Sequence, residues 1–219
     1  MADFTDNSAI AHAGRVTGNR DLVTHPNLLK WAYEGKLWTA GLGCENAGVD
    51  GDTALADVSP EFGLVASSST TVLILPIMVR LSVHTEGGAL NQLQIAVTRA
   101  ASDCATTMVV SGTAMTAIQN HNVAYTTSPS ASALYTLTAS ALTNADYQSL
   151  ILATQADNPV SGTGGLAFNR GTVFELDLLA TPRILHSGAA LLVYPYTGTT
   201  AQKYLCAITW AELSASDLV

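Results

Sequence analysis

Charge is scarce in this chain. Lys, Arg, Asp and Glu make up 12% of its 219 residues, against about 25% in an ordinary globular protein. None of the four occurs between Cys104 and Ala145. A soluble monomer spreads charge over its surface, so a neutral run of that length is expected to face other protein over much of its extent. Basic residues are scarcer still. Arg15, Arg20, Lys30, Lys36, Arg80, Arg99, Arg170, Arg183 and Lys203 are scattered singly against 17 acidic residues, giving a net charge of −8. With no basic arm or stripe, direct binding of a nucleic-acid backbone is not expected.

Other absences narrow the field further. The three cysteines, Cys44, Cys104 and Cys206, form an odd set with no CxxC pair, which reads as buried thiols rather than a disulfide framework or a zinc site. The longest run without a polar residue, Val72 to Val79, contains Pro76 and is far too short to span a bilayer. No basic segment followed by an apolar one marks an export leader, so the expectation is a protein made soluble in a cytoplasm, without membrane insertion.

Catalytic and cofactor signatures are missing too. His12, His25, His84, His121 and His186 lie far apart with no HxH or HExxH spacing, so no shared metal site is expected. No GxSxG elbow is present. Gly41-Leu42-Gly43 starts a dinucleotide pattern but lacks the third glycine and a βαβ setting. Glu45, Asp50 and Asp52 offer oxygen ligands without EF-hand spacing and read as a solvated acidic loop. Glu175 and Asp177 alternate with Phe174, Leu176 and Leu178; two carboxylates on one strand face can serve acid/base chemistry, but such a pair is more often the wet side of a half-buried strand. No catalytic, cofactor or metal residue is assigned.

What is there is small and β-branched. Apolar residues reach 48%, and the missing charge is replaced by Ala, Thr, Ser and Gly, which suit flat, closely packed β surfaces. The length fits one large all-β domain. Residues 1–52 read as an N-terminal arm carrying a short helix and a Gly-rich loop, and residues 53–219 as the β domain. The helix is expected over His25 to Gly35, with Thr24 or His25 as cap, Pro26 in the first turn and Gly35 closing the end. Leu28, Trp31 and Ala32 share its apolar face.

Beyond Thr53, short β runs alternate with turn clusters. Expected strands are Glu61 to Ala66, Thr70 to His84 with a bend or bulge at Pro76, and Leu93 to Val97, the last forming a hairpin with its predecessor across Glu86-Gly87-Gly88. Within the neutral run, Thr107 to Val110, Asn122 to Thr126 and Leu134 to Thr138 read as three strands in the middle of the sandwich. Asp146 to Ala153 fits a strand or a short helix, and Val160 to Gly165 a loop. Thr172 to Leu179 is the next strand, and Ala189 to Tyr196 with Tyr204 to Leu213 look like a closing antiparallel pair around Thr197-Gly198-Thr199. Strands of this number and spacing favour a single jelly-roll-like antiparallel β-sandwich.

The segment Pro60 to Arg99, with Thr70-Thr71-Val72-Leu73-Ile74-Leu75-Pro76 and its Gly-Gly turn, resembles jelly-roll virion proteins of bacteriophages and related viruses. The ending Gly188-Ala189-Ala190-Leu191-Leu192-Val193-Tyr194, then Ala207-Ile208-Thr209-Trp210-Ala211-Glu212-Leu213, is similar to them as well. The resemblance implies a capsid, cement or surface subunit of a virion, whose partners are copies of itself and other virion proteins; it carries over no functional residue. The expected subunit contacts are Trp31, Tyr33 and Trp38, which concentrate aromatics at the junction of arm and domain, and the loops around His121 and Pro129. The alternative is a trimeric carbohydrate- or receptor-binding β-sandwich holding a glycan at its loops.

Overall fold

The computed structural model describes residues 15–16, 22–23, 27–42, 48–52, 58–85, 91–104, 107–139, 147–155, 172–180, 182–196, 203–214 and 217. Two short strands, β1 (Arg15–Val16) and β2 (Leu22–Val23), pair with each other. They are followed by the helix α1 (Asn27–Tyr33) and by β3 (Leu37–Gly41), β4 (Val49–Asp50), β5 (Phe62–Val65), β6 (Leu73–Thr85) and β7 (Asn91–Thr98). The neutral run supplies β8 (Val110–Ala114), β9 (Ala117–Asn120) and β10 (Ser132–Ala139). The last strands are β11 (Tyr147–Gln155), β12 (Thr172–Asp177), β13 (Ala190–Tyr196) and β14 (Lys203–Leu213).

The expected all-β sandwich is what forms. One six-stranded sheet runs β11-β7-β13-β5-β10-β8 and the other β12-β6-β14-β3-β9, with β4 also on β14. Every named pairing is antiparallel. The core lies between the sheets: Phe62, Leu64, Ile95, Leu191 and Val193 from the first meet Ile74, Leu81, Tyr204, Ile208 and Trp210 from the second. Alternation of side chains along each strand supplies these inward faces.

Two central strands are buried on both sides, and each outer face has its own cover. Leu75, Ile77, Ala211 and Leu213 point away from the core and are roofed by Trp31 of α1, with Leu28 and Ala32 packed alongside. Ala96, Ala190, Leu192 and Tyr194 on the far side of the first sheet pack with Cys104, Met108 and Leu137. The helix therefore exists to close one sheet face. Seven residues of helix have little stability alone; Gly35 at φ +72° ends it, with Lys36 N–H donating to Trp31 O and Gly35 N–H to Ala32 O, the paired bonds of a Schellman stop. The expected caps Thr24 and His25 lie outside the described residues.

Two expected hairpins are absent, and the reason is shared. β6 and β7 sit in different sheets, as do β13 and β14. β6 pairs instead with β14 along its whole length, from Lys203↔Thr85 to Leu213↔Leu73, while β13 lies between β5 and β7. A strand with apolar residues on its inner face gains more by facing another sheet than by lying beside its chain neighbour, because only stacking removes that face from water. The bulge foreseen at Pro76 is present, opposite Trp210, where the β6–β14 register shifts. The expected boundary at Thr53 falls after β3 and β4, both of which hydrogen-bond to β14. Of the segment expected over Asp146 to Ala153, Tyr147 to Ala153 is strand, within β11, and Asp146 lies outside the described residues.

The neutral run does not occupy the middle of the sandwich. β8 ends the first sheet and β9 is an edge of the second, so the run forms one flank, with Met115, 2% exposed, plugging the corner where the chain passes between sheets. Asn122 to Thr126, expected as a strand, is a turn. Asn120 Oδ1 accepts from Asn122 N–H at 2.8 Å and Asn122 Oδ1 from Ala124 N–H at 3.1 Å, successive side-chain-to-backbone bonds that replace a strand ladder. Val160 to Gly165 and Thr197 to Thr199 lie outside the described residues.

Candidate functional site

The flank brings together four of the five residues singled out from sequence. α1 ends at Tyr33, whose side chain is 81% exposed. Its carbonyl accepts from Asn122 Nδ2 at 2.7 Å, and the Gly35 carbonyl accepts from Asn120 Nδ2 at 2.6 Å. Two asparagines of one turn thus satisfy carbonyls that the end of the helix leaves open. The Tyr125 ring lies over Gly35, where a Cβ would run into it. Trp38 pairs with Asn120 across β3 and β9 and lines, with Ile118, Leu134 and Pro129, an open cleft of about 520 Å³. Trp31 and Trp38 are 8% and 5% exposed: Trp31 belongs to the cover beneath α1 and Trp38 to the core below the cleft, so neither is a surface contact in this chain, and Trp31 also lies apart from the other four.

His121 stands at the exit of β9. Its Nε2 shares a 2.8 Å hydrogen bond with Thr39 Oγ1, which in turn shares one of 2.8 Å with Thr209 Oγ1. Partial burial lowers the pKa of the imidazole below its ordinary value, so the ring is uncharged at neutral pH. A hydroxyl beside an imidazole is a start towards nucleophilic chemistry, but no carboxylate among the described residues orients the ring. The chain of bonds ties β9 to β3 and β14.

A residue that sequence reasoning missed holds the loop over the cleft. Glu212 Oε1 accepts from Ser130 N–H at 2.8 Å, Ala131 N–H at 2.9 Å and Trp210 Nε1–H at 3.2 Å, and its Oε2 accepts from Ser130 N–H at 3.0 Å. One carboxylate at the end of β14 therefore fixes the backbone just after Pro129. The signal was a single acid in the otherwise apolar Trp210-Ala211-Glu212-Leu213. The paired asparagines were legible in the same way, through Asn120-His121-Asn122.

The flank is apolar where it is not merely neutral. Leu29 and Tyr33 are 56% and 81% exposed, one helical turn apart on α1, and Val123 and Tyr125 of the adjoining turn are 94% and 45% exposed. The nearest charges are compensated among themselves: Lys36 Nζ lies 2.8 Å from Glu34 Oε2 and 2.5 Å from Asp217 Oδ1.

The carboxylates weighed for other chemistry lie elsewhere. Glu175 pairs with Arg80 at 2.8 Å, and Asp177 Oδ1 accepts from Leu179 N–H at 2.8 Å. Both are exposed on β12. Asp50 meets Lys203 at 3.3 Å, and Glu45 lies outside the described residues. Glu61, beside Pro60 at the start of β5, is 9% exposed. Burial, then the charges of Asp52 and Asp50, pushes its pKa up to about 8. Among the described residues no three His, Cys, Asp or Glu side chains are grouped to hold a metal ion. No helix is long and apolar enough to cross a membrane among those residues.

No protein-family model, curated protein or solved structure matches the chain.

Proposed function

We propose that this protein is a non-enzymatic structural subunit that self-assembles into, or decorates, a symmetric viral or phage particle. The observation that carries the reading is the charge-poor flank: the edges β8 and β9, the cleft and exposed apolar residues lie together where the neutral run folds, with Lys30, Glu34, Lys36 and Asp217 pairing among themselves and Glu212 holding backbone amides, in a chain of net charge −8. Like charge keeps copies of an acidic protein apart, and this is the side on which they can meet without that penalty. Repetition of a modest contact over a closed shell multiplies its effect. The sheet order lends the reading further support. The run β11-β7-β13-β5, with β6 beside β12 opposite and the chain switching sheets at each step from β5 to β7 and from β11 to β14, supports a jelly-roll ancestry for the sandwich. On this reading the protein is made in a host cytoplasm and ends in the virion, with copies of itself and other virion proteins as partners.

The glycan-binding alternative has less to stand on. It rests on Tyr and Trp as stacking platforms, and Trp31, Trp38 and Trp210 are 8%, 5% and 0% exposed, which leaves it the exposed Tyr33 and Tyr125.

Sedimentation velocity and negative-stain microscopy of the purified full chain test the proposal. Concentration-dependent, discrete assemblies are expected; a monomer at every concentration, in low and high salt alike, would sink it.

A further inference from the structure

Sheet edges in this protein are treated unequally. β12, which ends the second sheet, carries exposed Glu175 and Asp177 and neighbours Arg80, and charged side chains on an edge strand discourage a further strand from adding. β9, an edge of that sheet, is only four residues long. The first sheet ends at β11 and at β8, neither of which carries a charge or a proline, and β8 presents its residues to solvent. Its sequence Val110-Ser111-Gly112-Thr113-Ala114 contains no charge and no proline, and Ser111, Gly112, Thr113 and Ala114 are all exposed.

The backbone of β8 is half used. Met115 N–H donates to Ala133 O on β10 at 2.9 Å. Since alternate residues of a strand direct their N–H and C=O to the same side, Thr113 also faces β10, and Val110, Gly112 and Ala114 direct theirs away from it. Opposite Gly112, β10 bulges: the register shifts between Tyr135 and Thr138, with Thr136 at φ +49°. The amides of Thr136 and Leu137 donate to Glu61 O and Pro60 O, at 2.8 and 3.0 Å. The bulge distorts β10, not the outer edge of β8.

We infer that β8 is the seam through which a second copy of this chain docks, edge to edge and antiparallel, about a two-fold axis passing by Gly112. The inference rests on the assembly reading above and names its first contact. In an antiparallel pair, residues that face the partner strand oppose one another, so Gly112 meets Gly112 of the other copy and Val110 meets Ala114. All three outward-facing residues are then matched, which no neighbouring register achieves. Small side chains on both faces let the two backbones reach ladder distance. The occupant is a second copy rather than an unrelated chain because the edge is complementary to itself in this register. It is also neutral, in a molecule whose net charge of −8 otherwise keeps copies apart.

The experiment uses full-length Thr113→Lys and Thr113→Glu. Thr113 is exposed, directs its amide inward, and lies one residue from the axis. Each variant alone places like charges on diagonal positions across the seam. The expected result in sedimentation equilibrium is a dimer weakened about tenfold or more in either variant, restored when the two are mixed in equal amounts. Thermal melts of the variants, run dilute enough that wild type is also monomeric, should match wild type. Hydrogen exchange gives a second reading: the amides of Gly112 and Ala114 should be protected in concentrated wild type and lose that protection on dilution. Variants that associate as tightly as wild type, a mixture that stays as weak as its components, or Gly112 and Ala114 amides that exchange freely in the assembled protein would each overturn the seam. In these cases the assembly reading stands as long as wild type associates; a wild type that never associates removes both.

Discussion

Replacing Glu61 with Gln should make the protein more stable at alkaline pH and nearly indifferent there to further change in pH. Glu61 is 9% exposed, and its carboxyl is held near pKa 8 by burial first and by Asp52 and Asp50 second, against an ordinary 4.5. Between those two values the unfolded chain has released the proton while the folded chain still holds it. The unfolded state then binds fewer protons, so stability falls as pH rises. The contribution of the protonated acid is fully present below pH 4.5 and is gone once the pH has passed 8. Each pH unit inside that window is worth about 1.4 kcal/mol, and pH 5.5 lies about one unit into it. The advantage of Glu61→Gln should therefore grow by roughly 3 kcal/mol between pH 5.5 and pH 8.5. At about 2–4 °C per kcal/mol for a chain of this size, that is a difference in melting temperature on the order of 10 °C. Paired urea titrations of wild type and variant at the two pH values measure it. A stability difference that does not change with pH, or one that favours wild type more at pH 8.5, would refute the reasoning.

Two further substitutions test how the flank is held. Glu212→Ala removes the acceptor for Ser130 N–H, Ala131 N–H and Trp210 Nε1–H, and should cost about 2–3 kcal/mol by leaving donors unpaired. Hydrogen exchange should show the loss concentrated at residues 130 and 131, and unchanged protection there would count against Glu212 as the anchor. Gly35→Ala forces a side chain into a residue at φ +72° and into the Tyr125 ring. It should cost more than about 1 kcal/mol in urea unfolding, and a neutral result would mean that the turn carrying Tyr125 shifts freely.

Local signals in the sequence were read well and pairing signals poorly. β5, β6, β13 and β14 lie close to where alternation and β-branched residues put them, and Pro76 marks a real bulge, because these features depend on a few neighbouring residues. The two hairpins failed because a Gly-rich turn between β runs looks the same whether the chain folds back on itself or crosses to the facing sheet. Only the partner decides, and the partner of β6 is β14, more than a hundred residues away. The same limit applies to the site. Tyr33 and Trp38 were chosen as aromatics at the junction of arm and domain, His121 and Pro129 as loops of the neutral run, and the fold brings the two pairs to one flank. Trp31 was misjudged because an aromatic on a short helix looks alike whether the helix shows that face or covers a sheet with it, and here it covers Leu75 and Ala211. Glu212 was passed over because its value lies in backbone amides more than eighty residues distant.

The unequal edges constrain what kind of assembly the chain can build. A pairing of β8 with itself is isologous, and it uses up that edge on both copies at once. The joined sheets would then end at the uncharged β11 on either side, and the facing sheets at the charged β12 and the short β9. Such a seam closes at two and cannot by itself run on into a fibre, which is the hazard an uncharged edge ordinarily carries. A closed shell needs a second, different contact to join pairs. The exposed Leu29, Tyr33, Val123 and Tyr125 lie on the same flank but on α1 and its adjoining turn, off the sheet edge. They are therefore available to that second contact after the first has formed. Separating a backbone seam from an apolar patch lets dimers accumulate before larger particles grow. The remaining acidic surface, unpaired with any basic patch, opposes contacts outside those two.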